Sequence, residues 1–250
     1  MTLQRKMMIV VVVLTVIGIV LSFAFAAQKS RVALAVLAAG CLSYFIVARV
    51  VHARHTAVLR EAGARLGLDL LVAKGDEERS TWLSHMRRTA DPDVFRWKID
   101  GRLPALVGEY EGLPVTVRVP LGLDFDAAAP DSTRIAAYHK VKMTGFAIYD
   151  RTRLKKVPKG RQVALGDESF DSRFLVVALR VEEAQTVLSP AMRTLLLEAG
   201  DIGFRGIEVN RYGVFLHEEG KVSSPDLVGR RLALVVALAR AAQELAQAEG

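Results

Sequence analysis

MMIVVVVLTVIGIVLSFAFAAQKSRVALAVLAAGCLSYFIVARVV, residues 7–51, holds two hydrophobic stretches separated by the four-residue break Gln28–Arg31. Met7–Ala27 carries no charge over 21 residues, enough for a helix of roughly 30 Å, the hydrocarbon thickness of a bilayer. The second stretch, Val32–Val51, meets its first charge only at Arg49. Backbone N–H and C=O groups in hydrocarbon need internal partners, so two such segments joined by so short a break predict an antiparallel transmembrane hairpin. Small residues recur four apart at Gly18, Ser22 and Ala26 and at Ala35, Ala39 and Ser43, a spacing that lets helix backbones approach closely.

Arg5 and Lys6 precede the first span and Arg49, Arg54, Arg60 and Arg65 follow the second, against Lys29 and Arg31 between them. The positive-inside rule then places both termini in the cytoplasm, in a bacterial-type inner membrane. A cleaved signal peptide is the competing reading, with Ala24-Phe25-Ala26 as its cleavage site. Its apolar run exceeds the usual ~7 to 15 residues, and cleavage leaves almost no ectodomain before the next span.

The formal charge of +7 is concentrated in the hairpin: the first 51 residues carry five basic and no acidic side chains, leaving 29 basic against 27 acidic over residues 52–250. So balanced a domain gives no global electrostatic case for nucleic acid. The one cysteine, Cys41, lies in the second span, which excludes a disulfide framework or a cysteine zinc site within one chain.

Beyond the spans, Val51, Val58, Leu59, Ala62 and Leu66 recur at helical spacing up to Gly67, predicting a helical stalk over residues 52–67. His52 and His55 lie three apart on it without a third ligand nearby, and read as interfacial residues. Asp76–Arg88 reads as a second helix with its acids first and its bases last. The period then changes. Ala105–Tyr110 and Pro114–Pro120 alternate about Glu111-Gly112 and predict a hairpin. Further strands are expected at Ser132–Val141, Gly145–Arg151, Arg161–Leu165 and Ser172–Arg180, with an acidic loop at Leu121–Asp131. Val181–Gly200 is helical with a step at Ser189-Pro190, Gly206–Arg211 and Gly213–Glu218 form a last hairpin, and Ser224-Pro225 opens a helix to about Ala248. In that helix Leu227, Leu232, Val235, Leu238, Ala242 and Leu245 form the apolar stripe, with Arg230, Arg231, Arg240 and Glu244 on the other faces. The fold class is α+β: a two-helix hairpin, then one mainly antiparallel sheet domain over residues 68–250 with C-terminal helices packed on it.

Three motifs carry a family likeness: Gly108-x-Tyr110-x-Gly112, then Gly166-Asp167-x-x-Phe170-Asp171-x-x-Phe174-x-Val176, then Glu183-Ala184-x-x-Val187-Leu188-Ser189-Pro190. With these the chain resembles an uncharacterised bacterial family of membrane proteins, a domain of unknown function with two hydrophobic segments before a cytoplasmic α+β domain. It departs from that family's pattern at Asp171, where Glu is usual, and at Ser189, where Thr is usual. The resemblance implies architecture and no reaction.

Locally, Phe170 and Phe174 straddle the start of a strand where both rings can be buried, and Asp167 and Asp171 suit bonds to turn N–H groups. The functional alternative makes Asp167, Glu168 and Asp171 a metal or acid/base cluster. Asp124 and Asp126 form a second, weaker candidate for a cation. His85, His139 and His217 are scattered and read as surface or satisfied core residues. No phosphate-binding loop, nucleophile elbow or H-E-x-x-H motif is present. The sequence therefore implies no cofactor.

One charge run stands out. Lys140, Lys142, Arg151, Arg153, Lys155, Lys156, Lys159 and Arg161 accompany a single Asp150. Beside an anionic leaflet each contributes ~1 kcal/mol, so the run is a candidate contact for membrane or partner; the bland alternative is a solvated hairpin tip. Without interleaved aromatics it does not suit nucleic acid. The expectation is a membrane-anchored interaction or regulatory module without its own catalysis, self-associating or joining a membrane complex. The alternative is a membrane-surface hydrolase acting on a lipid-linked or small anionic substrate.

Overall fold

The computed structural model describes residues 30–72, 101–120, 133–154, 160–200, 204–218, 220 and 222–248. The expected span Met7–Ala27, the expected helix Asp76–Arg88 and the expected loop Leu121–Asp131 lie outside the described residues. Two compact units divide the chain, residues 1–57 and 58–250, and helix α1 (Ser30–Leu66) contributes to both. Among the described residues no helix is long and apolar enough to cross a membrane. In the first unit α1 exposes Leu42, Ile46 and Val50, whose four-residue steps align them along one side. His52 is exposed as well, whereas His55 is buried.

In the second unit the end of α1 belongs to the domain core, with Leu59 and Ala62 fully buried. The helix stops at Gly67, whose φ of +69° is open to glycine at little cost. Leu68 N–H then donates to the Gly63 carbonyl at 2.9 Å, the backward bond of a Schellman closure.

Strand β1 (Asp69–Leu71) follows, and β2 (Gly101–Tyr110) and β3 (Leu113–Pro120) form the expected hairpin. Glu111 and Gly112 have φ of 51° and 82°, both left-handed as a two-residue type I′ turn requires. Glu111 tolerates this conformation with Arg240 clasping it: the guanidinium donates to its carbonyl at 2.7 Å and pairs with its carboxylate at 3.0 Å. The β2–β3 register shifts between Arg102 and Leu106, around Pro104, which has no N–H to give to a ladder.

The remaining strands are β4 (Thr133–Tyr138), β5 (Phe146–Asp150), β6 (Gln162–Val163), β7 (Phe174–Ala178), β8 (Phe204–Asn210) and β9 (Gly213–Glu218). They make one nine-stranded sheet in the order β1-β2-β3-β4-β9-β8-β5-β7-β6, antiparallel at every described pairing. The last hairpin in the chain is thus inserted in the middle, between the β1–β4 meander and the β5-β7-β6 wing. The strand expected from Ser172 starts at Phe174, because α2 (Glu168–Arg173) makes a short helix before it. Arg161–Leu165 shrinks to the two-residue edge strand β6.

Helices α3 (Val181–Val187) and α4 (Pro190–Gly200) are separated by the expected step, with Ser189 Oγ accepting from Met192 N–H at 3.4 Å. Helix α5 (Pro225–Ala248) starts where Ser224 Oγ accepts from Leu227 N–H at 3.2 Å. It lies over β3, β4, β9 and β8, beside α3 and α4. Leu232, Val235, Leu238, Ala239 and Ala242 are buried with Val117, Ile135, Val214 and Leu216 from the sheet. The opposite face holds a smaller cluster: Tyr138 meets Phe215 edge-on at 5.6 Å, bonds Thr116 Oγ1 at 3.2 Å, and Arg134 lies 4.4 Å over the Phe215 ring.

At the other end of the core Phe174 joins Phe170, 5.0 Å away, to Phe204, stacked at 5.5 Å. All three are 0–1% exposed. Truncating a fully buried phenylalanine removes its transfer energy and leaves a cavity. Phe174→Ala is therefore expected to lower stability by about 3–5 kcal/mol in urea unfolding, whereas exposed Leu179→Ala should move it by no more than about 0.5 kcal/mol.

Candidate functional site

Among the described residues the basic run does not form one cluster, because β5 divides it. Lys140 and Lys142 are exposed on the connection leading into β5, and Arg151 and Arg153 follow its end. Five strand residues at ~3.3 Å each hold the two pairs roughly 15 Å apart. Arg161 returns to the first end: its carbonyl accepts from Ala178 N–H at 3.0 Å, and Ala178 pairs with Phe146. β5 and β6 do not pair with each other, since β7 lies between them. Lys155, Lys156 and Lys159 fall outside the described residues.

At the first end the connection 139–145 is locked by Glu183 on α3. Its carboxylate accepts from the Thr144 hydroxyl at 2.7 Å, from Thr144 N–H at 3.0 and 3.1 Å and from Gly145 N–H at 3.0 Å, and Arg180 lies 3.7 Å away. Burial alone pushes this carboxyl up, but those bonds and Arg180 together hold it below the ordinary glutamate range. Gly145 has to be glycine here, with φ +92° and a Cβ that would stand 2.5 Å from the Val209 carbonyl.

In the same connection His139 is buried, and neither ring nitrogen has a hydrogen-bond partner among the described residues. This differs from a satisfied core histidine. Burial lowers its pKa from 6.5 to about 4.

At the second end Asp150 accepts from the Thr152 hydroxyl at 2.6 Å and its N–H at 2.9 Å, with Arg153 at 3.8 Å. Arg151 Nε donates to the carbonyls of Asp171 and Phe174 at 3.0 and 3.2 Å. Asp167 caps α2, accepting from Phe170 N–H at 3.1 Å, and pairs with Arg193 at 3.4 Å. Asp171 accepts from the N–H groups of Leu165, Gly166 and Asp167 at 2.9–3.3 Å. The motif carboxylates thus bind the chain's own loop, and Phe170 and Phe174 enter the core. Among the described residues no group of three histidine, cysteine, aspartate or glutamate side chains could hold a metal.

The sequence reading missed the most deeply buried charge. Arg231, assigned above to an outer face of the last helix, is fully buried. It donates to the Ala199 carbonyl at 3.0 Å and to Glu218 at 3.4 Å, and lies 5.4 Å over the Phe204 ring. Burial raises the Glu218 carboxyl despite this partner and lowers Arg231 despite Glu218, and Arg153 is close enough to act on both. The four-residue steps Leu227, Arg231 and Val235 place Arg231 in the apolar stripe, and that spacing was the available signal. The pair ties α5 and α4 to the end of β9.

These features define an α+β domain with one antiparallel sheet, helices on one face, and carboxylates engaged by its own N–H and guanidinium groups. No family model matches the chain, and no curated protein matches it. Among solved structures it is similar to the mycobacterial trehalose monomycolate transport factor A, TtfA, with a TM-score of 0.50 and 13% identity over 75% of this chain and 93% of that one. At that identity the likeness is one of fold.

Unfolded chains protonate His139 below pH 6.5, whereas the folded domain resists until about pH 4, so stability falls as pH drops through that window. At ~1.4 kcal/mol per unit the loss approaches about 3 kcal/mol, and His139→Leu should flatten the urea-midpoint profile over that range. Arg231→Met and Glu218→Gln should each cost about 3–5 kcal/mol by stranding the partner, while the double variant regains most of it.

Proposed function

We propose that this protein is a membrane-anchored module without its own catalysis, whose α+β domain joins a membrane complex. The tether is the hairpin of Met7–Val51, with both termini cytoplasmic. Leu42, Ile46 and Val50 carry this reading: they are 63, 56 and 46% exposed on one side of α1, within a stretch free of charge from Val32 to Ala48. Large apolar groups aligned in this way suit lipid or a neighbouring helix. The engagement of Asp150, Asp171, Glu183 and Glu218 by the chain's own groups favours a binding role over hydrolysis. TtfA, which shares the fold, is a transport factor, and a transport complex is the assembly we assign. The motifs at Gly108, Gly166 and Glu183 support, in this proposal, kinship with the uncharacterised membrane family that the chain resembles.

Carbonate-washed membranes should retain the protein, and Leu42→Glu with Ile46→Glu should release it. Recovery of the unaltered chain in the wash would remove the tether. In mild detergent, light scattering should give a protein mass above the 27.3 kDa of one chain, from a second copy or a bound partner; a lone monomer that crosslinks to nothing would rule out the complex.

A further inference from the structure

The sheet register gathers at one end a set of side chains that are distant in sequence. Val141 N–H donates to the Arg211 carbonyl at 3.1 Å, which sets the β4–β5 connection beside the β8–β9 turn. Phe146 pairs with both Val209 and Ala178, and Ala178 N–H reaches the Arg161 carbonyl. Arg211, Lys142, Arg180 and Arg161 therefore follow one another across β8, β5, β7 and β6, and neighbouring strands lie about 4.8 Å apart, so the row is roughly 15 Å wide. All four side chains are exposed.

Two apolar groups stand among them. Leu179, immediately after β7, is 76% exposed, the largest value among the exposed large hydrophobic residues described. Tyr212 is 40% exposed, and the Arg211 guanidinium lies 4.6 Å over its ring. The acids on β8 and on the helix after β7 do not cancel the row, and Glu111, at the same end of the sheet, is paired with Arg240 at 3.0 Å. Glu183 is buried and turned to Thr144 and Gly145, with Arg180 at 3.7 Å. Of the exposed pair Glu182 and Glu208, the second is engaged by the Asn210 amide at 2.7 Å.

We propose that this edge, Lys142, Arg161, Arg180 and Arg211 around Leu179 and Tyr212, docks the domain on an anionic lipid surface. The cations face headgroup phosphates, Leu179 enters the boundary with the acyl chains, and Tyr212 sits at the headgroup level that amphipathic rings favour. A nucleic acid would require several stacking rings along the row. The proposal rests on the tethered reading given above, which keeps the domain within reach of the bilayer.

The test uses the full chain with Cys41→Ser and Leu179→Cys, labelled at residue 179 with an environment-sensitive dye. It is reconstituted into nanodiscs of phosphatidylcholine alone or mixed with phosphatidylglycerol. In the anionic discs alone the emission should shift to the blue and quenching by aqueous iodide should fall. Each cation beside an anionic leaflet contributes roughly fivefold to docking, so Lys142→Gln with Arg211→Gln should weaken it about 30-fold and restore the neutral-disc spectrum. High salt should do the same to the unsubstituted row, a readout that does not depend on a variant folding. Equal spectra in both lipids, or a shift that survives salt, overturns the proposal, as does a shift produced only by an added acidic protein. Failure to co-purify with discs of either kind counts against the tether, whereas co-purification with a fully quenchable dye counts against docking alone.

Discussion

The β8–β9 hairpin holds this sheet together. β4 and β5 are consecutive in the chain yet not neighbours, and everything that joins the meander to the opposite wing passes through ladders made by residues 204–218. The same hairpin carries Ile207, Val209, Val214 and Leu216 into the core beneath α5. One insertion thereby sets both the continuity of the hydrogen bonding and the floor on which the long helix rests.

Charged groups complete what the apolar core begins. Glu183, Asp171 and Asp150 each gather N–H groups of a connection that would otherwise leave them unpaired, so residues 144–145, 152 and 165–167 are each tied to a carboxylate. Arg231 and Glu218 work differently. Both are removed from water and only partly compensated, so their joint presence adds little net stability; it fixes how α5 sits against the end of β9.

Local patterns made much of the architecture readable. Val115, Val117 and Val119 alternate beside Glu111-Gly112, Ser189-Pro190 marks the helix step, and Ser224-Pro225 marks the last helix start; each signal needs only neighbouring residues. What the sequence concealed depends on tertiary pairing. β6 has two residues because it borders a single strand, too short for an alternation to register. Arg231 reads as a surface residue until Glu218 and Ala199 arrive from elsewhere. The run from Lys140 to Arg161 is continuous in sequence but split in space, since an intervening strand converts a few residues into many ångströms. Arg180 and Arg211, far away in the chain, replace the lost half. The candidate surface was thus only partly legible, and half its cations came from the topology.

The late arrival of the central hairpin has a consequence for biosynthesis. A ribosome that has just released β4 must translate about 80 more residues before β9 emerges, a delay of roughly 4–16 s at ordinary elongation rates. Throughout it, the outer ladders of β4 and β5 present unmatched N–H and C=O groups, the feature that invites wrong strands to add. A stop codon between residues 179 and 203 therefore leaves two half-sheets, each with a sticky border.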